Sequence, residues 1–159
     1  MNKILILAGG YSNEREISLI TAKSVIKELK KNEKYKLFLT EPDGDFVKKL
    51  RKFRPDLVLN LLHGRYGEDG YIQSILESEK INYTHSGVLS SSLAIDKEIS
   101  KKIFIKNNIL TPAYIKFSFK NNLNIKNIKK KIDRNLRFPV VLKPINEGSS
   151  VGVYITNRK

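Results

Sequence analysis

The expected fold is decided by residues 55–70, which read Pro55-Asp56-Leu57-Val58-Leu59-Asn60-Leu61-Leu62-His63-Gly64-Arg65-Tyr66-Gly67-Glu68-Asp69-Gly70. The continuous apolar run Leu57–Leu62 is typical of a parallel strand that is covered on both faces. A glycine-rich loop follows it at once, and apolar residues then recur at helical spacing at Ile72, Ile75 and Leu76. This strand–loop–helix unit predicts an α/β layered fold.

The same alternation continues in both directions from this unit. We expect the first helix to start near Asn13, capped by Asn13 with Glu16 reaching back. A mainly parallel sheet is predicted, in two modules that span residues 1–95 and 96–159. The remaining predicted elements are strands Lys3–Ala8, Lys36–Thr40, Ile81–Thr84, Ala113–Phe117, Pro139–Lys143 and Val151–Ile155, and helices Phe46–Phe53, Asp96–Asn107 and Leu123–Ile132.

The composition limits the classes of partner. The 159-residue chain has a formal net charge of +14, but its lysines are scattered along helix faces without interleaved aromatic residues. We therefore expect no nucleic-acid partner, and a basic nucleic-acid-binding domain stays the alternative. The absence of cysteine excludes disulfides and thiolate metal sites. The apolar stretches are too short to span a bilayer and no signal peptide is apparent, which predicts a cytoplasmic protein with no membrane partner.

Three loops carry the candidate chemistry. Residues 9–16 combine paired glycines with Glu14 and Glu16, which either bind a ligand or complement the helix dipole. Residues 63–70 bring a histidine, an arginine and two carboxylates together, more than a turn requires. Residues 143–152 have the composition of a phosphate-binding loop after Lys143, without the Walker A order. A plain hairpin is the alternative there.

Taken together and in order, five segments resemble the D-alanine–D-alanine ligase family of the ATP-grasp superfamily. The segments are Gly9-Gly10…Ser12…Glu14-Arg15-Glu16-Ile17-Ser18-Leu19, residues 63–70, Tyr83-Thr84-His85-Ser86-Gly87-Val88, Ala94-Ile95-Asp96-Lys97, and Lys143-Pro144…Glu147-Gly148-Ser149-Ser150-Val151-Gly152. The resemblance implies a Rossmann-like (pre-ATP-grasp) parallel-sheet domain, which binds substrate, followed by the start of an ATP-grasp central domain. It also implies an ATP-dependent ligase that forms D-alanyl-D-alanine through a D-alanyl phosphate.

The resemblance further implies residue roles. Glu14 would receive the ammonium group of the first D-alanine, His63 would lie close to that substrate, and Glu68 would support His63. Ser149 would link Glu14 to the closed site, so Glu14 and Ser149 are the candidate catalytic residues. The residues expected to bind ATP are Lys97, Lys143, Glu147, Gly148, Ser149 and Ser150.

Members of this family are about twice as long as this chain. The Mg²⁺ ligands and the adenine-binding segment are therefore expected beyond residue 159, and the chain alone is expected to be inactive. We also expect a stable first module, poor order after about residue 95, and a possible homodimer. The alternatives are a D-alanine–D-lactate or D-alanine–D-serine ligase, and a non-catalytic module that binds an amino acid or nucleotide.

Overall fold

The computed structural model describes residues 2–118, 124–148 and 150–157. Strands and helices alternate through the first half of the chain, as expected for an α/β protein. In chain order the elements are β1 (Asn2–Leu7), α1 (Arg15–Leu29), β2 (Tyr35–Thr40), α2 (Phe46–Phe53), β3 (Leu57–Asn60), α3 (Tyr71–Ser78), α4 (Val88–Ile95), α5 (Lys97–Lys106), α6 (Ile125–Asn135), β4 (Val140–Leu142) and β5 (Tyr154–Thr156).

Three parallel strands form the main sheet in the order β2-β1-β3. Ile4 of β1 is in register with Leu37 of β2 on one side and with Leu57 of β3 on the other. The predicted strand at residues 81–84 is reduced to a parallel bridge between Val58 and Tyr83. The predicted α/β class with a parallel sheet is confirmed, and the carboxyl ends of β1 and β3 meet at one edge.

The core lies on both faces of β1, because successive side chains of a strand point to opposite faces. Leu5 and Leu7 pack with buried residues of α2 and α3 such as Leu50 and Leu76. Ile4 and Ile6 pack with Ala22 of α1 on the other face. Each fully buried Leu or Ile side chain contributes about 1.5–3 kcal/mol, so the central strand anchors the layered structure.

The second half of the chain is far less buried. Strands β4 and β5 form a separate antiparallel pair, in which Val140 is opposite Thr156. Helices α5 and α6 contain no buried residue. Among the described residues, Ser91 is the last buried one along the chain. The two-module division at residue 95 stays a prediction, but the burial of apolar surface falls sharply there.

Several predicted details of the secondary structure are wrong. Helix α1 begins at Arg15 with Glu14 at the N-cap position, and no described side chain caps it, so the predicted cap by Asn13 and Glu16 is wrong. Residues 113–117 form no strand. Strand β5 starts at Tyr154 because residues 150–152 form a turn. Helix α4 was not predicted. No helix in the described ranges is long and apolar enough to cross a bilayer.

Candidate functional site

The site begins where β1 ends in two glycines. Gly9 and Gly10 have φ angles of +85° and +86°, a backbone conformation that residues with a β-carbon rarely adopt. Ser18 of α1 accepts a hydrogen bond from Gly9 N at 2.8 Å and donates one to Leu61 O at 2.6 Å. One buried hydroxyl therefore ties together the ends of β1 and β3 and the first turns of α1.

Glu14 lies at the N-cap position of α1 with its side chain buried. Its relative exposure is 2%, and neither carboxylate oxygen has a hydrogen-bond partner among the residues that the structure describes. A β-carbon added to Gly64 or Gly148 would lie 2.7 Å or 3.1 Å from Glu14 Oε1, respectively. A buried carboxylate without a partner is costly, so this arrangement fits a group that awaits a cationic ligand.

The backbone of Glu14 is tied to that of His63. Ser12 Oγ accepts from Glu14 N and donates to His63 O at 2.7 Å. The imidazole Nε2 of His63 lies 3.4 Å from Thr21 Oγ1. The Glu68 carboxylate accepts from Gly64 N at 2.7 Å, so it contacts the neighbouring backbone and not the ring. The structure thus brings the three predicted substrate-binding residues, Glu14, His63 and Glu68, to one edge of the sheet.

Two buried amides hold the loop of residues 63–70 in place. Asn60 Nδ2 and Gln73 Nε2 each donate to Gly67 O at 2.8 Å, and both side chains are fully buried. Asp69 accepts hydrogen bonds from Tyr66 N and Tyr71 N at 2.9 Å and 3.1 Å. The sequence allows Asp69 a capping role at the start of the next helix, but the roles of Asn60 and Gln73 were not predicted. The signal for Asn60 was present, because it is the one polar residue inside the apolar run 57–62.

An ion pair closes the other side of the first loop. Glu41, directly after β2, accepts two hydrogen bonds from the Arg15 guanidinium at 2.6 Å and 3.0 Å and a third from Gly10 N at 3.2 Å. The hydrogen bond from Arg15 lowers the pKa of Glu41 below its usual value. Sequence reasoning singled out neither residue for this role. The pair fixes the glycine turn relative to α1, while Glu16 is exposed and complements the helix N-terminus.

Lys97 connects the start of α5 to the loop that follows β4. Its backbone N donates to Ile145 O at 3.1 Å, and its Nζ donates to Ile145 O at 3.3 Å and also to Glu147 O. Burial lowers the pKa of Lys97, and repulsion from Lys143 lowers it further. Lys101 shows the same shift for the same two reasons. Lys143 thus repels the ammonium groups of both Lys97 and Lys101, and such a concentration of positive charge favours an anion.

The predicted phosphate loop is described except for Ser149, which lies outside the described residues. Val151 N donates to Gly148 O at 2.9 Å and Val153 N to Ser150 O at 3.2 Å, so the loop is a tight turn. Ser150 is exposed with a φ of +66°. Glu147 and Gly148 are half-buried. The structure therefore places Lys97 against Glu147, and Gly148 against Glu14, at one junction between the two halves.

A metal site is not assembled by these residues. Within residues 2–118, 124–148 and 150–157, no group of three or more His, Asp or Glu residues is arranged to hold a metal ion. The Mg²⁺ ligands expected beyond residue 159 stay a prediction.

Comparisons with known proteins find matches to D-alanine–D-alanine ligases. Residues 103–159 match the family described as D-ala D-ala ligase C-terminus. The chain is 64% identical over 156 residues to the D-alanine–D-alanine ligase of Pelagibacter ubique, which covers 98% of this chain and 50% of that protein. It is 49% identical to the ligase of Wolbachia pipientis wMel over 96% of this chain and 46% of that protein. The chain spans about half the length of these relatives.

Solved structures show the same likeness. The D-alanine–D-alanine ligase from Bacillus anthracis superposes with a TM-score of 0.79 at 37% sequence identity, over 100% of this chain and 50% of that one. The same ligase complexed with ATP gives a TM-score of 0.79 at 34% identity and 51% coverage of that chain. The resemblance inferred from the five segments is confirmed.

Proposed function

We propose, from this likeness to about half of a D-alanine–D-alanine ligase, that the chain supplies the first D-alanine site and part of the ATP-phosphate site of such an enzyme. The observation that carries the proposal is the buried, unpartnered carboxylate of Glu14, which lies between two glycines. Other ATP-dependent enzymes that join amino acids would also need a phosphate site. The buried carboxylate is, in addition, complementary in charge to the ammonium group of an amino acid.

The first D-alanine would bind through its ammonium group to Glu14. A carboxylate with two free oxygens can accept two of the three ammonium hydrogens, and charge-assisted hydrogen bonds of this kind are strong. His63 would lie beside the same substrate. Gly64 and Gly148 support this role because a side chain at either position would fill the space next to Glu14 Oε1.

The phosphates of ATP would bind near Lys97 and Lys143. Lys97 is close enough to Glu14 for the negative charge of Glu14 to raise its pKa, against the larger lowering effects of burial and Lys143. This coupling, together with the approach of Gly148 to Glu14, supports neighbouring amino-acid and phosphate sites. The carboxylate of D-alanine would attack the γ-phosphorus, release ADP and form an acyl phosphate. The lysines would compensate the charge on the transferring group.

In the second step, the amine of another D-alanine would attack the acyl carbonyl, and inorganic phosphate would leave. Mg²⁺ would supply further charge compensation when bound by ligands outside this chain. Since the chain spans about half of its relatives, we propose that it performs no turnover by itself.

A fusion protein tests the proposal. Residues 1–159 are joined to the part of the Pelagibacter ubique ligase that the chain does not match. Phosphate release that requires both ATP and D-alanine is expected from the fusion and not from the chain alone. Glu14→Gln in the fusion should lower kcat/KM for D-alanine by at least about tenfold, the loss expected for one charge-assisted contact.

The matched control is Glu16→Gln, which removes an exposed carboxylate two residues away and should leave kcat/KM within twofold. A folded fusion without D-alanine-dependent phosphate release would contradict the proposal, and so would an active Glu14→Gln variant. Turnover of the chain alone would overturn the expectation of inactivity. Replacing the second D-alanine by D-lactate or D-serine in the same assay distinguishes the related ligases.

A further inference from the structure

The hydroxyl of Thr21 can act toward His63 only as a hydrogen-bond acceptor. Thr21 Oγ1 lies 2.9 Å from Ile17 O, to which it donates its single proton. The same oxygen lies 3.4 Å from His63 Nε2. Because the proton is already used, Thr21 can only accept at this contact, and a hydrogen bond there requires the hydrogen to be on Nε2 of His63.

The remaining ring nitrogen of His63 is then the free one. Nδ1 has no hydrogen-bond partner among the described residues. In the neutral imidazole with a proton on Nε2, Nδ1 is an acceptor. The main chain of His63 is held separately, since its carbonyl accepts from Ser12 Oγ at 2.7 Å. The backbone is thus held by Ser12, and the ring by its contact with Thr21.

We propose that Thr21 is a positioning residue that holds the His63 ring with Nε2 as the donor and leaves Nδ1 as an acceptor for the ligand that Glu14 receives. This inference rests on the proposed function only for the identity of the ligand, an ammonium group. An ammonium offers three donors, of which Glu14 can accept two and Nδ1 the third. The orientation of the ring is inferred from the contact between Thr21 and His63 alone.

The proposal is tested without substrate by nuclear magnetic resonance of the ¹⁵N-labelled chain. The chain has two histidines, so a His85→Gln variant assigns the His63 signals. In spectra recorded at alkaline pH, the neutral ring of His63 should carry its proton on Nε2. That proton should exchange with water more slowly than the ring proton of exposed His85.

Three variants on α1 separate positioning from helix structure. Thr21→Val, which removes the hydroxyl but keeps the shape, should speed exchange of the Nε2 proton by about fivefold or more, the effect of losing one hydrogen bond. Thr21→Ser keeps the hydroxyl and should restore slow exchange. Ser24→Ala is the matched control, because Ser24 Oγ donates to Ile20 O at 3.2 Å in the same way and has no histidine contact.

Two results would overturn the inference: a proton on Nδ1 of His63 in the wild-type chain, or unchanged exchange in Thr21→Val. Should Thr21→Val fail to fold, Thr21→Ala provides the same comparison. In the fusion protein, Thr21→Val should raise KM for D-alanine about threefold to tenfold with kcat within twofold, and Thr21→Ser should not. An inactive fusion would count against the proposed function alone, since the ring measurements need no substrate.

Discussion

Glu14 and Gly64 are in such close contact that a β-carbon on Gly64 would lie 2.7 Å from Glu14 Oε1. Gly148 approaches the same oxygen from the other half of the chain, with a corresponding distance of 3.1 Å. The space beside the Glu14 carboxylate thus depends on two glycines that are 84 residues apart in the sequence.

We predict that Gly148→Ala in the fusion protein lowers the affinity for D-alanine at least about tenfold, because the methyl group occupies space beside Glu14 that a ligand needs. Gly64→Ala should lower it as well and also destabilise the fold by about 1 kcal/mol, since Gly64 has a φ of +68°. Gly44→Ala is the control, because nothing lies within 4 Å of the added carbon. Steady-state KM and urea unfolding measure the two effects, and equal results at positions 44 and 148 would exclude the steric explanation.

Replacing the unpartnered carboxylate should stabilise the chain. Glu14→Gln removes a buried charge that has no partner among the described residues, and the free energy of unfolding should rise by about 1 kcal/mol. Thermal unfolding measures the change, with Glu16→Gln as the exposed control. A lower melting temperature for Glu14→Gln would mean that the carboxylate stabilises the fold through an interaction of its own.

Gly67 should tolerate no side chain. A β-carbon at this position would overlap the Leu62 side chain and lie 3.1 Å from the Leu62 carbonyl carbon. We expect Gly67→Ala to lower the free energy of unfolding by about 1–3 kcal/mol, the usual cost of overpacking. Urea denaturation measures it, again against Gly44→Ala. An effect as small as that of Gly44→Ala would show that the loop can shift as a unit.

Tyr83 gives the chain a pH dependence at high pH. Burial, followed by the hydrogen bond that its hydroxyl donates to Glu77 at 2.6 Å, raises the pKa of Tyr83 to about 12. Because the pKa is higher in the folded state than the ordinary value of about 10, this stabilisation is complete below pH 10 and is lost as the pH rises toward 12. The difference in absorbance between wild type and Tyr83→Phe should therefore titrate near pH 12 in the folded chain. A midpoint near 10 would contradict this.

Hydrogen exchange should differ between the two halves. The central strand β1 contains Leu5, Ile6 and Leu7, all fully buried, whereas helices α5 and α6 contain no buried residue. Amides of β1 and β3 should exchange only on global unfolding. Amides after residue 95 should exchange by local opening, and their protection factors should be lower by at least about tenfold. Mass spectrometry of the exchanged chain resolves the two halves. Uniform protection would show that the second half is stabilised by contacts beyond burial.

The sequence predicted the elements whose apolar residues are periodic and the loops whose composition is distinctive. Strands β1 to β3 and helix α2 were located because their apolar residues recur at the spacing of the element. Helix α4 was missed because Val-Leu-Ser-Ser-Ser-Leu-Ala-Ile has no apolar stripe that distinguishes it from a linker. Residues 113–117 were wrongly predicted as a strand, since local β-propensity cannot supply a pairing partner.

For the site, the sequence proposed candidate residues but could not give their contacts. The burial of Glu14 and the convergence of Lys97 with residues 145–147 depend on segments distant in the chain. The contact of Thr21 with His63 is equally nonlocal, whereas Asn60 and Gln73 act within a short segment, through Gly67. Helical spacing alone makes Thr21 an ordinary α1 residue, and only the position of His63 reveals its contact.

The central position of β1 has a consequence for biosynthesis. This strand is made first, yet it is bonded on both sides by strands made later, and the last parallel bridge of the sheet involves Tyr83. The ribosome adds roughly 5–20 residues per second, so the first strand waits several seconds for its second neighbour. The sheet can then close around Glu14 before the lysine-bearing loop at residues 143–152 has left the exit tunnel. The proposed amino-acid site can thus form before the proposed phosphate loop is made, with Glu14 in place before Lys143 leaves the ribosome.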